Sequence, residues 1–336
     1  MNIFVITLLI ISLALVLYHH LVYPIILSMI NVSRYSLPHY FHRHYLPSEK
    51  DDQLPTFHII VPALNESAYI KEKIINLSCI DYPEEKINIT IICDGSIDDT
   101  ADQAEKALIE KECHHLNAEI VRLPKNIGKV SVINYFVPRC HSDIIVLTDV
   151  SAIVSKDCLL ITASYFTKMK KAGAVCGSYQ FIPSESTGEQ VYWNYQRKIK
   201  IQESALGSTI GMHGAFYAFR KKLFTPLPKD TINDDFSISA DIIMQGEQCL
   251  YDPRLITIET EKSSKNMNFK RRQRLSTGNV QQAIRYMGLL HPKFGSISFN
   301  FFSGKFLRAF MPILTFLILF SSLYLSFYHP AFFLIF

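Results

Sequence analysis

Ile144-Ile145-Val146-Leu147-Thr148-Asp149-Val150-Ser151 is the stretch from which the rest of the chain can be read. Four apolar residues run straight into a polar pair ending in a carboxylate. A strand covered on both faces, as in a parallel sheet, reads as an unbroken apolar run rather than an alternation. Its first polar groups mark where the chain emerges, and open α/β sheets bind their ligands beyond that carboxyl end. On this stretch alone, Asp149 can equally be a cap for a following helix or turn. The neighbouring segments decide between the two.

Upstream, Phe57–Val61, Asn88–Cys93 and Ala118–Arg122 have the same strand-like character. Each is followed by a polar loop and then a helical stretch. Pro62-Ala63-Leu64-Asn65-Glu66-Ser67 leads into a helix ending near Leu77. Asp94-Gly95-Ser96 precedes a helix from near Asp98 to near Cys113, and Asn126-Ile127-Gly128-Lys129 opens one that ends near Val137. This alternation predicts an α/β fold with a doubly wound, mostly parallel sheet, its polar loops converging on one edge. Gly95 suits a close backbone approach by a ligand and equally a simple turn. Lys129 stands at a helix start, where a cation is disfavoured unless an anion is bound, which suits a phosphate.

Downstream, the pattern predicts a helix over Lys156–Lys171, a strand over Ala174–Phe181 and an amphipathic helix over Gln190–Leu206. That last helix carries Glu203 and the only tryptophan, Trp193. A glycine-rich turn containing His213 and Gly214 feeds a further strand. Asp234 and Asp235 open a helix ending near Gln245; adjacent carboxylates there suit capping, and also a general base. Arg254–Thr260 reads as irregular or extended. Lys270-Arg271-Arg272-Gln273-Arg274 begins a helix to near Met287, and is either a solvated face or a phosphate site.

Of 336 residues, 49% are hydrophobic, enough for two domains, and the apolar excess sits at the two ends. Ile3 to Ile30 exceeds the roughly 20 residues that a spanning helix needs. It has neither the basic start nor the small-residue cleavage site of a signal peptide. His19 and His20 within it read as facing a partner helix or the interface. Phe306–Tyr328 is a second span, ended by His329-Pro330, and the apolar tail 329–336 reads as the beginning of a longer membrane region. His291–Lys305 reads as an amphipathic segment on the membrane surface. Basic residues Arg34, Arg43, Lys50, Lys293, Lys305 and Arg308 flank the inner ends of the two spans. The positive-inside rule then places the intervening region in the cytoplasm of a multi-pass cell-membrane protein. A net charge of +4, with no basic run interleaved with aromatics, argues against a dedicated nucleic-acid binder. Seven scattered cysteines without a CxxC argue against a disulfide framework or a zinc site, and fit a reducing compartment.

Taken together, VPALNE (61–66), CDGSIDDT (93–100), NIGK (126–129), TDVSA (148–152), GMHGAFYAFR (211–220), TINDDF (231–236) and RRQRLSTGN (271–279) resemble glycosyltransferase family 2. The likeness is to its membrane-bound inverting type, the branch of cellulose, chitin-oligosaccharide, hyaluronan and poly-N-acetylglucosamine synthases. It implies a GT-A type nucleotide-sugar-binding sheet and a domain order. A spanning helix (1–30) and basic linker (31–54) precede a nucleotide-sugar half (55–152) and an acceptor and catalytic half (153–265). A basic and interfacial segment (266–305), a second span (306–328) and the tail (329–336) follow. Pro62, Asn65, Glu66, Asp94, Gly95 and Ser96 would line the donor, with Glu66 and Asp94 at the base, usually uracil. Lys129 would lie near the nucleotide. Asp149 matches the first Asp of the DxD motif and, with Ser151 at the second, would face a divalent cation, Mg2+ or Mn2+. Asp235, beside Asp234, matches the Asp of the TED motif and would be the general base. Arg271 and Arg274 match the QxxRW region that pairs with the diphosphate, and Glu203, His213 and Gly214 would face the acceptor.

Three positions depart from the pattern. Ser151 replaces a carboxylate, the TED motif reads Asn233-Asp234-Asp235, and QxxRW reads Arg271-Arg272-Gln273-Arg274-Leu275, without its Gln and Trp. The resemblance implies a nucleotide-sugar donor, a glycan or lipid-linked acceptor, a lipid bilayer and partner subunits for any export step, in a bacterial inner membrane. Single transfer and chain extension both stay open. So does a nucleotide-sugar-binding membrane scaffold made inactive by Ser151, although a scaffold has no need of a base such as Asp235.

Overall fold

The computed structural model describes residues 3–30, 37–181, 187–261 and 265–335. They fall into two units: Tyr35–Asn268, and a second made of Met1–Arg34 with Phe269–Phe336.

The first unit is built on one eight-stranded sheet. In chain order its strands are β1 (Phe57–Ala63), β2 (Ile87–Asp94), β3 (Ala118–Leu123), β4 (Ile144–Thr148), β5 (Ala152–Val154), β6 (Ala172–Phe181), β7 (Phe216–Arg220) and β8 (Gln248–Glu259). In space the order is β3-β2-β1-β4-β7-β6-β8-β5. The first four are parallel, as β1–β2, β1–β4 and β2–β3 pairings show. Every residue of β4 is buried, as its apolar run predicts. Phe57, Ile59, Val61, Ile87, Ile89, Ile91, Ile144 and Val146 share one core cluster with Ile70, Ile74, Ala104 and Leu159 from the crossover helices. Ile60, Ile145 and Leu147, which alternate with these, are equally buried, so both sheet faces are covered.

Beyond β4 the sheet is mixed. β7 runs antiparallel to both β4 and β6, and β5 antiparallel to β8, while β6 and β8 are parallel. The expected sheet is therefore parallel only in its first half and at the β6–β8 pair. The antiparallel pairing has a consequence for the site. It sets Phe216, the start of β7, against Thr148, the end of β4. The turn before β7 is thereby carried to the edge where the parallel strands end.

β5, only three residues long, is not visible in the sequence. β8 takes in most of Arg254–Thr260, read as irregular or extended, and begins earlier, at Gln248; its register with β6 jumps between the Gly177–Asp252 and Ser178–Ile256 pairs, around Pro253. A Cβ on Gly177 would lie 2.1 Å from the Leu255 carbonyl, so only glycine admits that close approach.

In the other unit, two segments, Ile3–Ile30 and Ser296–Ser326, are long and apolar enough to cross a membrane. The second begins earlier than the sequence suggests, taking in part of the stretch expected to lie on the membrane surface. Each contains a π-helical turn, at Tyr18–Val22 and Phe301–Phe306. The two turns meet: the Tyr18 hydroxyl lies 2.7 Å from Ser303 Oγ, and His19 Nδ1 lies 2.6 Å from the Ser303 carbonyl oxygen. His19 thus faces a partner helix.

Candidate active site

The loops after β1, β2 and β3 are tied to one another before any ligand is considered. Asn65 adopts φ +56°; its amide donates to Ser96 Oγ and its Oδ1 accepts from the Ile97 amide at 2.9 Å. The Glu66 amide donates to Thr100 Oγ1 at 2.8 Å. Asp94 is 4% exposed, and its two oxygens accept from the Ile127 and Gly128 amides at 2.8 and 2.9 Å. Gly95 has φ +67°, and a Cβ there would lie 2.2 Å from the Asn126 nitrogen, so the crossing of these loops requires glycine. Asn65, Ser96 and Asp94, expected to touch the donor, are therefore also the groups that shape its loops. Pro62 is half-buried at the end of β1.

Past β4 the charges collect. Lys129 Nζ lies 2.9 Å from Asp149 Oδ1 and 3.7 Å from Asp234 Oδ2. Asp234 also accepts from the buried Tyr217 hydroxyl at 2.5 Å. Gly214 stands between these groups. A Cβ built on it would be 3.7 Å from Asp149 Oδ2, 3.9 Å from Asp235 Oδ2 and 4.0 Å from Lys129 Nζ. Asp149, Asp234, Asp235, Lys129 and Gly214, from four separate segments, thus form one cluster at the carboxyl edge of the parallel strands.

The electrostatics follow from the packing. Burial, followed by repulsion from Asp234, raises the Asp235 carboxyl to about 6, against the opposing pull of Lys129 and a hydrogen bond from the Phe236 amide. Burial on its own would depress the Lys129 ammonium, but the carboxylates of Asp149, Asp234 and Asp235 raise it above its ordinary value. Glu66 is raised to about 7, first by burial and then by Glu261, Asp149, Glu259 and Asp98.

Lys73 was not anticipated. It is fully buried, and its Nζ donates to Thr148 Oγ1 at 2.8 Å and to the Ala152 carbonyl at 2.5 Å, spanning the turn that carries Asp149 and Ser151. Burial lowers its ammonium to about 7, against the pull of Asp149, Cys158 and Glu259. A neutral amine still offers a hydrogen for each of the two acceptors. The signal was in the helical stripe Ile70–Lys73–Ile74–Leu77, in which a lysine occupies a core seat.

The acceptor-side residues divide. Gly214 stands among the charged groups, and His213 directly precedes it in the chain. Glu203, by contrast, is 2% exposed and accepts from the Thr209 hydroxyl at 3.1 Å. It braces the 208–214 turn from beneath instead of facing open space. Lys200, also buried, donates to the Gly211 carbonyl in the same turn. Arg271 and Arg274 lie on the helix Lys265–Arg285, in the unit that resumes at Phe269. Arg274 is exposed, and the Arg271 side chain lies outside the described residues.

Among the described residues no group of three His, Cys, Asp or Glu side chains could hold a metal ion. Ser151 is 7% exposed, and its carbonyl accepts from the Thr260 amide and hydroxyl. Asp149 is the one carboxylate at the motif, with one oxygen on Lys129. This donor set fits a cation that takes one carboxylate and completes its shell with substrate phosphates and water, a common arrangement for Mg2+.

A half-parallel, half-mixed sheet with carboxylates and a lysine at its switch point defines a GT-A-like α/β nucleotide-sugar-binding fold. The chain belongs to glycosyl transferase family 2: that family's model matches residues 58–226, and the model of glycosyl transferase family group 2 matches residues 144–336. Among curated proteins, the probable glycosyltransferase YdaM of Bacillus subtilis is 23% identical over 264 residues, covering 73% of this chain and 62% of that protein. Beta-monoglucosyldiacylglycerol synthase of Trichormus variabilis is 25% identical over 261 residues, covering 74% of this chain and 54% of that one. The chain therefore spans little more than half the length of these relatives. Among solved structures, the mannosyltransferase PcManGT of Pyrobaculum calidifontis, in complex with GDP-Man and Mn2+, superposes with TM-score 0.71 at 19% identity over 95% of this chain and 87% of that one. S. aureus TarS 1–349 in complex with UDP-GlcNAc gives TM-score 0.54 at 15% identity, over 76% and 73%.

Proposed function

We propose that the chain transfers a hexosyl group, with inversion, from a UDP-linked sugar to a membrane-borne acceptor at the cytoplasmic face. The observation that carries this is the packing of Asp149, Asp235 and Lys129 around Gly214. An acceptor hydroxyl must lose a proton as it attacks the anomeric carbon, and a diphosphate must leave. Asp235, held near 6, is ionised at neutral pH yet more basic than an ordinary carboxylate, as a general base should be. Lys129 places a cation where negative charge grows on the leaving group. A divalent cation held by Asp149 would add Lewis-acid neutralisation of the diphosphate. Glu66 and Asp94 would lie at the base, one carboxylate accepting its single ring N–H. A single displacement with one base inverts the anomeric centre, by analogy with glycoside chemistry.

The two apolar helices support a membrane setting, and with it a lipid-linked or membrane-embedded acceptor. The diacylglycerol-glycolipid synthase among the relatives favours single transfer to such an acceptor over chain extension. The test is a panel of UDP- and GDP-sugars incubated with the membrane-reconstituted protein and a lipid extract, with Mg2+ or Mn2+ added or chelated. Release of nucleoside diphosphate together with a lipid product heavier by one hexose is expected. Binding of nucleotide sugar without release, across all donors and extracts, would replace this reading with the scaffold.

A further inference from the structure

We propose that Trp193, His213 and Tyr179 form a stacking platform for a pyranose ring of the acceptor. The inference rests on the transferase reading above and deepens it, by naming a sugar as the group presented to Asp235.

The three rings come from separate elements. Tyr179 lies on β6, Trp193 on the helix Thr187–Ala205, and His213 in the turn before β7. Their centroids are 4.9 Å apart for Tyr179–Trp193, 5.6 Å for Tyr179–His213 and 5.2 Å for Trp193–His213. Tyr179 is stacked with His213 at 21°, and Trp193 stands tilted to both. Tyr179 is buried, and its hydroxyl donates to Glu259 at 2.9 Å, so it fixes the base of the group. Trp193, which also meets the Tyr192 ring at 5.4 Å, and His213 are half-buried, and each keeps part of its surface exposed.

Position makes the cluster more than packing. His213 directly precedes Gly214, the residue bounded by Asp149, Asp235 and Lys129. Ala152, which follows Ser151, and Ala215, which follows Gly214, share a buried cluster with Tyr179, and Trp193 packs against that cluster. The rings therefore adjoin Gly214, whose Cβ position lies 3.9 Å from Asp235 Oδ2, on the side formed by β6 and the helix Thr187–Ala205. A sugar ring whose C–H bonds gather on one face offers an apolar surface to an aromatic ring while its hydroxyls stay polar. A β-gluco-configured pyranose has such a face, and a hydroxyl at its edge would be directed toward Asp235.

Trp193 is the only tryptophan in the chain, so its fluorescence reports on this place alone. The experiment titrates the full-length, nanodisc-embedded protein, saturated with UDP, with methyl β-glucoside or cellobiose, and with sorbitol as an open-chain polyol control. A saturable shift in emission with the two pyranosides and none with sorbitol is expected. In transfer assays using octyl β-glucoside and cellobiose as lipid-like and free acceptors, Trp193→Ala should raise acceptor KM roughly ten-fold, leave donor KM within about two-fold, and be partly rescued by Trp193→Phe. Emission that ignores both pyranosides, or an acceptor KM unchanged in Trp193→Ala, would overturn the platform. Emission that responds in a protein releasing no nucleoside diphosphate from any donor would instead overturn the transferase reading, leaving a sugar-binding surface.

Discussion

Removing the Lys129 charge should move the acidic limb of the pH–activity profile upward. In the free enzyme Asp235 must be ionised to act, and its carboxyl sits at about 6, so kcat/KM should fall as pH drops through that value. Lys129 opposes the rise caused by burial and Asp234. The position of Gly214 bounds the distance: with 4.0 Å to Lys129 Nζ and 3.9 Å to Asp235 Oδ2, the two charges are no more than about 8 Å apart. At that separation one unit charge contributes about 0.5 kcal/mol in a water-like dielectric and about 2 kcal/mol at an effective dielectric of about 20. These correspond to shifts of about 0.4 and about 1.5 pH units. Because about 8 Å is the largest separation allowed, these are minimum shifts: Lys129→Met should carry the limb from near 6 to at least about 6.4 in a water-like dielectric and at least about 7.5 at the lower one, and added salt should reduce the shift. The assay is nucleoside-diphosphate release at subsaturating donor from pH 5 to 8, at fixed metal concentration and two ionic strengths. A limb that stays in place or moves down would show that Lys129 does not act on the base, and would refute the electrostatic reasoning.

Other expectations follow from single residues. Gly95→Ala should lower thermal stability by about 1–3 kcal/mol and raise donor KM, because the new methyl meets the Asn126 backbone at a positive φ; an unchanged Tm would contradict it. Lys73 is protonated up to about 10.5 when unfolded but only to about 7 when folded, so the unfolded state binds more protons in between. Wild-type stability should rise with pH across that window by up to about 1.4 kcal/mol per pH unit, and Lys73→Met should flatten the dependence. Denaturation profiles at pH 7 and 9 check this, and equal slopes in the two proteins would count against it. Glu66, held near 7, should make UDP affinity fall as pH drops below that value, and Glu66→Gln should remove the dependence. Calorimetric titration with UDP at pH 6 and 8 reads both.

The first half of the sheet was legible because fully buried parallel strands read as apolar runs with polar ends, and β1, β2 and β4 do so. The second half was harder. β5 is too short for any periodicity, and β8 is disguised by Pro253 at its bulge. The charged cluster could be named residue by residue, yet its geometry depends on strand order. Lys129 and Asp149 are 20 residues apart and meet because the parallel strands deliver their loops to one edge. Gly214 joins them because β7 runs antiparallel to β4. The resemblance put Glu203 toward the acceptor; whether a residue near the end of an amphipathic helix points in or out depends on the rotation of that helix, and here Glu203 is turned in to accept from Thr209. Lys73 was readable as a lysine in an apolar stripe, although its partners at Thr148 and Ala152 were not.

The most direct measurement compares wild type with Asp235→Asn in the same membrane preparation, recording nucleoside-diphosphate release from a UDP-sugar and UDP binding in parallel. Wild type should turn over, while the variant should lose at least about 100-fold in rate and keep its affinity for UDP within a few-fold. Equal turnover in the two proteins would contradict the assignment of Asp235 as the base on which the proposed transfer depends.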